Sequence, residues 1–199
     1  MHGLVLAGGK GSRMGREKGS LLHPDGRSFL KRTVDLLREV GCERIVVSLR
    51  EGQAIQEKID GVCYVRDSGN GPLDGIIEGL VHLEDGGCIV TACDLPALEV
   101  DIFEGLCGHE DRFVVYRSEF DGGLEPLCGF YGNGALNILE TARERGEWGL
   151  RRILSENEVK ILDLPRRGAL LNVNHREEFR AFLEKSRDDG DGRGYLSEE

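Results

Sequence analysis

The sequence predicts an α/β protein whose sheet is mostly parallel and covered by helices on both faces. Three observations carry this expectation. Apolar, strand-like runs alternate with amphipathic helical stretches from the first residues to about residue 107, which is the pattern of a sheet buried on both sides. The first run, Leu4-Val5-Leu6, opens into a glycine-rich basic loop that reaches Lys18. Two acids, Asp67 and Asp94, stand just past other predicted strands, and ligands of such sheets bind beyond the carboxyl ends of the strands.

The elements follow in order. After the first strand and its loop, residues 28–40 carry Phe29, Val34, Leu37 and Val40 at roughly helical spacing, and Gly41 stops the helix. Ile45 to Leu49 reads as a buried strand, 53–59 as a shorter helix, and Val62 to Val65 as a third strand. Arg66 to Leu73 is dense in turn residues. Positions 73, 76, 77, 80 and 81 are apolar in the pattern of a helix face. Cys88 to Cys93 is a strand that ends at Asp94-Leu95-Pro96, with a helix near 100–107.

The second half departs from this alternation. Strands are expected at 113–116 and 127–131, helices at 134–145 and 149–155, and a strand at 159–163. Leu170 to Asn174 reads as a short strand, with Asn172 and Asn174 on one face, followed by a final helix carrying Phe179, Phe182 and Leu183. Residues 1–185 are expected to form a single domain. Residues 186–199, poor in apolar side chains, are expected to be a disordered acidic tail.

Charge and composition exclude several classes. The formal charge of -10 argues against general nucleic-acid binding. No apolar run approaches the roughly 20 residues of a membrane span. The first residues lack a basic segment followed by an apolar one, so a cytoplasmic protein is expected. None of the six cysteines forms a C-x-x-C pair, and they read as buried thiols in a reducing compartment.

The loop carries the chemistry. Gly8, Gly9, Gly11 and Gly15 are interleaved with Lys10, Arg13, Arg16 and Lys18. Glycine lets backbone N–H groups approach a ligand closely, and successive N–H groups form an anion-binding nest. The phosphate loop with Gly-Lys-Ser/Thr is absent, and G-x-G-x-x-G fails at Met14. The loop is therefore either a different nucleotide loop or a basic surface turn. Asp94 likewise has two readings. It is a carboxylate that shares Mg²⁺ with substrate phosphates, or a turn Asp before proline. Asp67 reads first as a turn residue bonded to its own backbone. Trp148 is expected to pack.

The wording of these blocks is more specific. Leu6-Ala7-Gly8-Gly9-x-Gly11-x-Arg13-Met14 resembles the signature of nucleotidyltransferases with a Rossmann-like, glycosyltransferase-A-like three-layer sandwich. Arg13-Met14-Gly15 before Lys18 is most similar to the molybdenum cofactor guanylyltransferase family. Asp67 ahead of Gly71-Pro72-Leu73, Cys93-Asp94-Leu95-Pro96, Pro126-Leu127-Cys128-Gly129-Phe130-Tyr131 and Asn172-Val173-Asn174 resemble that family's further blocks, in its order.

The resemblance implies an enzyme that moves GMP from GTP to the phosphate of molybdopterin and releases pyrophosphate. It implies that Leu6, Ala7, Gly8 and Gly9 hold the nucleotide, that Arg13 and Lys18 bind the triphosphate, and that Asp67 contacts the nucleotide. Asp94 would bind Mg²⁺, and Asn172 and Asn174 would lie towards the acceptor. Molybdoenzymes or cofactor-insertion proteins are the implied recipients of the product. The chain departs from the family pattern at Glu17, at Asp74, where Ala is usual, and at His175-Arg176, where Thr-Pro is usual. The rival enzymes are adenosylcobinamide-phosphate guanylyltransferase, molybdopterin cytidylyltransferase and a GTP transferase to phospholactate. The rival outside enzymology is a nucleotide-binding regulator.

Overall fold

Strand β1 (His2–Leu6) is buried at Gly3, Leu4 and Val5 and lies inside the sheet, next to its central strand. In the computed structural model, residues 1–8, 18–55, 57–83, 87–173 and 176–188 are described. The other strands are β2 (Arg44–Arg50), β3 (Val62–Asp67), β4 (Cys88–Ala92), β5 (Phe113–Arg117), β6 (Leu124–Tyr131) and β7 (Lys160–Leu162). They form one sheet in the order β3-β2-β1-β4-β6-β5-β7. β1 to β4 are mutually parallel, β6 runs antiparallel to β4 and β5, and β7 is parallel to β5.

The apolar runs explain this arrangement. A strand buried on both faces needs side chains that suit both, and β4 (Cys-Ile-Val-Thr-Ala) is buried at every position. Alternate residues serve opposite layers. Val5, Val47 and Ile89 pack with helices α1 (Phe29–Glu39) and α3 (Val100–Glu104). Leu4, Val46 and Val90 pack with α2 (Pro72–Leu83), α4 (Ala135–Glu144) and α5 (Leu150–Ser155). The result is a three-layer sandwich, as the alternation predicts. Helix α6 (Arg176–Asp188) reaches back to α1, where Phe179 lies edge-on to Phe29 at 5.7 Å.

Local signals set the helix ends. Ser28 caps α1 by accepting from the Lys31 N–H at 3.0 Å. Pro72 opens α2 at the first helical position, where the missing N–H costs nothing. Helix α6 extends to Asp188, three residues into the stretch expected as a tail, and 189–199 lie outside the described residues.

Two expected elements are replaced. Residues 53–59 do not form a helix in their described part. Gln53 is buried and turns its side chain inward, donating to the Ala7 carbonyl at 2.8 Å and accepting from the Arg50 N–H at 3.2 Å. That clamp holds the chain irregular. Leu171 to Val173 are not a strand either. The Val173 N–H donates to the Asp94 carbonyl at 3.0 Å, so this segment closes over the end of β4 and not along a sheet edge. β6 begins earlier than expected and includes Pro126, which the strand tolerates because its pairing with β5 shifts register between Val115 and Tyr116.

Candidate active site

Register alone lines up the site. Leu6 pairs with Ser48 on one side and with Ala92 on the other. Two residues further along each of these parallel chains stand Gly8, Arg50 and Asp94. Arg50 pairs in turn with Asp67 on β3. The four residues Asp67, Arg50, Gly8 and Asp94 therefore form a row at one level across the carboxyl ends of β3, β2, β1 and β4. The chain changes direction across the sheet between β1 and β4, which is the switch point where open α/β sheets bind ligands.

Over this row lies a cleft of about 330 Å³. Its walls are mostly apolar or glycine: Leu6, Ala7 and Gly8 from the end of β1, Gly69, Gly71, Pro72 and Gly75 at the start of α2, Ala92 and Cys93 from β4, and Leu127 from β6. The polar side chains in the lining are Arg50, Asp67 and Asp94. An apolar slot with a few convergent charged groups is the usual make-up of a small-molecule site.

Asp67 is 7% exposed and carries two protein donors. The Ser48 hydroxyl donates to Oδ2 at 2.6 Å, and the Gly69 N–H donates to Oδ1 at 2.9 Å. The second bond is the local turn expected of this Asp. The first was not legible, because Ser48 is an isolated polar residue in an apolar strand. Small residues crowd the carboxylate: a Cβ at Gly8 or Gly75 would lie 3.3 or 3.2 Å from Oδ2.

Backbone groups at the mouth of β1 are committed. The Leu6 carbonyl accepts from the Cys93 N–H at 3.1 Å, the Ala7 N–H donates to the Ser48 carbonyl at 2.8 Å, and the Ala7 carbonyl is held by Gln53. Leu6 and Ala7 thus present chiefly apolar surface to the cleft. Gly9, Arg13 and Asn174 lie outside the described residues, as does the side chain of Lys18, whose backbone opens a 3-10 turn, Lys18–Ser20.

Asp94 follows β4, with its Oδ1 buried at the cleft floor. Among the described residues no group of three or more His, Cys, Asp and Glu side chains gathers. A cation here would take one or two carboxylates and complete its shell with substrate oxygens, which is the ordinary Mg²⁺ donor set. Asp94, placed at the cleft beyond the end of β4, is a carboxylate that fits this role. The hydrogen bond from Val173 draws Asn172 beside the Asp94 segment, and the Asn172 Oδ1 is buried.

Asp74, the departure from the family pattern in this region, does not line the cleft. Asp74 is 3% exposed, and its carboxylate accepts from the Ser68 hydroxyl and lies 3.8 Å from the Arg143 guanidinium on α4. Trp148 is 42% exposed and so is not the packing residue expected. Cys42, Cys88, Cys93 and Cys128 are buried as expected, whereas Cys63 is exposed. Burial pushes the Cys42 thiol up to about 12, which keeps it protonated and inert. Sequence reasoning missed Arg50 and Gln53. The available signal for Arg50 was a cation closing the apolar run of β2, level with the glycine loop.

Among the described residues no helix is long and apolar enough to cross a membrane. The sequence model of the MobA-like NTP transferase domain matches residues 3–161. A protein of Rhodopirellula baltica named probable molybdenum cofactor guanylyltransferase is 33% identical over 183 residues, covering 86% of this chain and 86% of that one. A protein of the same name from Opitutus terrae is 32% identical over 193 residues, covering 89% of this chain and 92% of that one. The crystal structure of molybdopterin-guanine dinucleotide biosynthesis protein A from Archaeoglobus fulgidus superposes with a TM-score of 0.74 at 20% identity, covering 94% of this chain and 100% of that one. The chain belongs to the MobA-like NTP transferase domain family, and it is a nucleotidyltransferase.

Proposed function

We propose that this nucleotidyltransferase transfers GMP from GTP to the phosphate of molybdopterin, with or without bound molybdenum, and forms the guanine dinucleotide cofactor. The observation that carries the reading is the row of Asp67, Arg50, Gly8 and Asp94 under one cleft, from four adjacent strands. The relatives named as molybdenum cofactor guanylyltransferases supply the substrate class.

In this reading an oxygen of the acceptor phosphate attacks the α-phosphorus of GTP. The bond from that phosphorus to the β-phosphate oxygen breaks, and pyrophosphate leaves with the electron pair. The acceptor oxygen is already anionic, so no strong general base is needed, and the protein's work is positioning and charge neutralisation. Asp94 would hold a divalent ion, Mg²⁺ in our reading, which would supply countercharge to the phosphate oxygens. Leu6 and Ala7 offer apolar surface to the nucleoside, and Gly8 and Gly9 let the backbone come close to it. Arg13 and Lys18 neutralise the triphosphate and the departing pyrophosphate. Asp67 holds the wall of the nucleotide site, and Asn172 and Asn174 face the acceptor. The product would pass to a molybdoenzyme or a cofactor-insertion protein in the cytoplasm.

The test is pyrophosphate release with each of the four NTPs, with molybdopterin as acceptor and Mg²⁺ present. Turnover with GTP alone is expected. Turnover with CTP would keep the reaction and overturn the base. Turnover only with cobinamide phosphate would overturn the acceptor. Absence of turnover with any pair would favour a nucleotide-binding regulator.

A further inference from the structure

Arg50 is the cation of the described cleft lining, and no role is yet attached to it. It ends β2, and the register sets it opposite Asp67. It does not form an ion pair with that acid among the described residues, because Asp67 is turned to Ser48 and Gly69. The Arg50 Nε is buried with no hydrogen-bond partner among the described residues. Leaving a buried guanidinium donor unmatched is costly, and such a group at a ligand cleft is matched when the ligand binds.

The stem of Arg50 is also held in place. A Cβ at Gly69 would come within 2.7 Å of the Arg50 Cγ and 2.8 Å of its Cδ, so the side chain lies flat against a residue that has room for it only as glycine. Gly69 adopts φ 77°, which other residues resist. The backbone of Arg50 is fixed as well: its N–H donates to Gln53 Oε1, and its carbonyl accepts from the Gln53 N–H at 3.0 Å. Arg50 is thus a braced donor fork with an unused edge.

Its position assigns the ligand group. Arg50 lies on β2 and Asp94 follows β4, with β1 between them. Two strand spacings separate the two chains, about 10 Å. With the reacting phosphate beside Asp94, as proposed, the part of the cleft left for the base runs over Gly8 to Arg50. Guanine presents two neighbouring acceptors, O6 and N7, which an arginine fork matches with two parallel N–H donors. Adenine offers N7 next to an amino donor, so it does not match the fork.

We infer that Arg50 reads the O6 and N7 edge of guanine and is a base-selecting residue of this site. The inference rests on the proposed use of GTP. The test is a binding cycle in the presence of Mg²⁺, with GTP, 7-deaza-GTP and ATP titrated into wild type and into Arg50→Met, which keeps the stem against Gly69 and removes the fork. Arg50→Leu, which likewise removes the fork, is read in the same way should the Met variant not fold.

Wild type is expected to bind 7-deaza-GTP and ATP roughly 5- to 50-fold more weakly than GTP. In Arg50→Met the gap between GTP and 7-deaza-GTP is expected to close, and the gap to ATP to narrow. An equal penalty for 7-deaza-GTP in both proteins overturns the inference, as does a uniform loss for all three nucleotides, which would make Arg50 a phosphate contact. Both of those outcomes leave GTP as the substrate. Wild type that does not bind GTP overturns the proposed reaction and this inference together.

Discussion

The Ser48 hydroxyl donates to the Asp67 carboxylate at 2.6 Å across the β2–β3 pair, and Asp67 forms part of the wall of the cleft. Ser48 is fully buried in an otherwise apolar strand, and Asp67 is nearly so. The two sidechains leave space for the cleft only because Gly8 and Gly75 face the same carboxylate. Removing the hydroxyl strips a donor from a buried acceptor. Ser48→Ala should therefore lower stability by about 1.5–3 kcal/mol and weaken nucleotide binding, read by urea unfolding and by GTP titration. Unchanged values for both would separate this bond from the site.

Gly75 sits where α2 meets the sheet. A Cβ there would stand 3.0 Å from Leu6 Cδ2 and 3.2 Å from both Asp67 Oδ2 and Ser48 Oγ. Asp67 and Ser48 are buried and cannot withdraw to solvent. Gly75→Ala should lower stability by about 1–3 kcal/mol through overpacking, although alanine favours helices. A shift of the unfolding midpoint to higher urea would contradict the contact geometry.

Asp94→Ala removes the carboxylate that fits the cation. Turnover should fall on the order of 100-fold or more, with the far-ultraviolet circular dichroism spectrum unchanged. The position follows the end of β4 and contributes a backbone carbonyl to Val173 that the substitution keeps. A rate near wild type with the same metal dependence would remove Asp94 from the reaction.

Asp74 tests whether a departure from the family pattern reaches the substrate. Its carboxylate points to Ser68 and Arg143, away from the cleft lining. Asp74→Ala should cost about 1–3 kcal/mol in stability, because it removes a buried acceptor and leaves Arg143 without that partner. The ratio of rates with GTP and the other NTPs should not change. An altered ratio would place Asp74 in base selection.

The acid limb of stability should report Asp25. Burial alone pushes this carboxyl up, but hydrogen bonds from the Arg27 side chain and N–H, with the charges of His23 and Arg27, outweigh that and hold it at about 2. The bonds are short, 2.7 Å from Arg27 Nη2 and 3.0 Å from its backbone N–H. A depressed folded value adds stability above the unfolded value of 3.8 and loses it as pH falls towards 2. Wild type should exceed Asp25→Asn in urea midpoint at pH 6, and the gap should narrow between pH 4 and 2. A gap independent of pH would rule out this titration.

Alternation of period, glycine placement and the acids after strands were all legible in the chain. They follow from local physics: a strand buried on both faces needs Leu4-Val5-Leu6 or Cys88 to Ala92, and a helix face needs the spacing of Leu73, Ile76, Ile77 and Leu80. They were enough to expect the three-layer sandwich and to single out Asp67 and Asp94. Partners and levels were decided only in the folded molecule. That Arg50 stands in one row with Gly8 and Asp94 depends on register between strands dozens of residues apart. That Asp74 turns away from the cleft depends on Arg143, and that 53–59 stays irregular depends on Gln53 reaching Ala7. Each is a side-chain contact across long sequence separation, where packing and hydrogen-bond satisfaction override local preference.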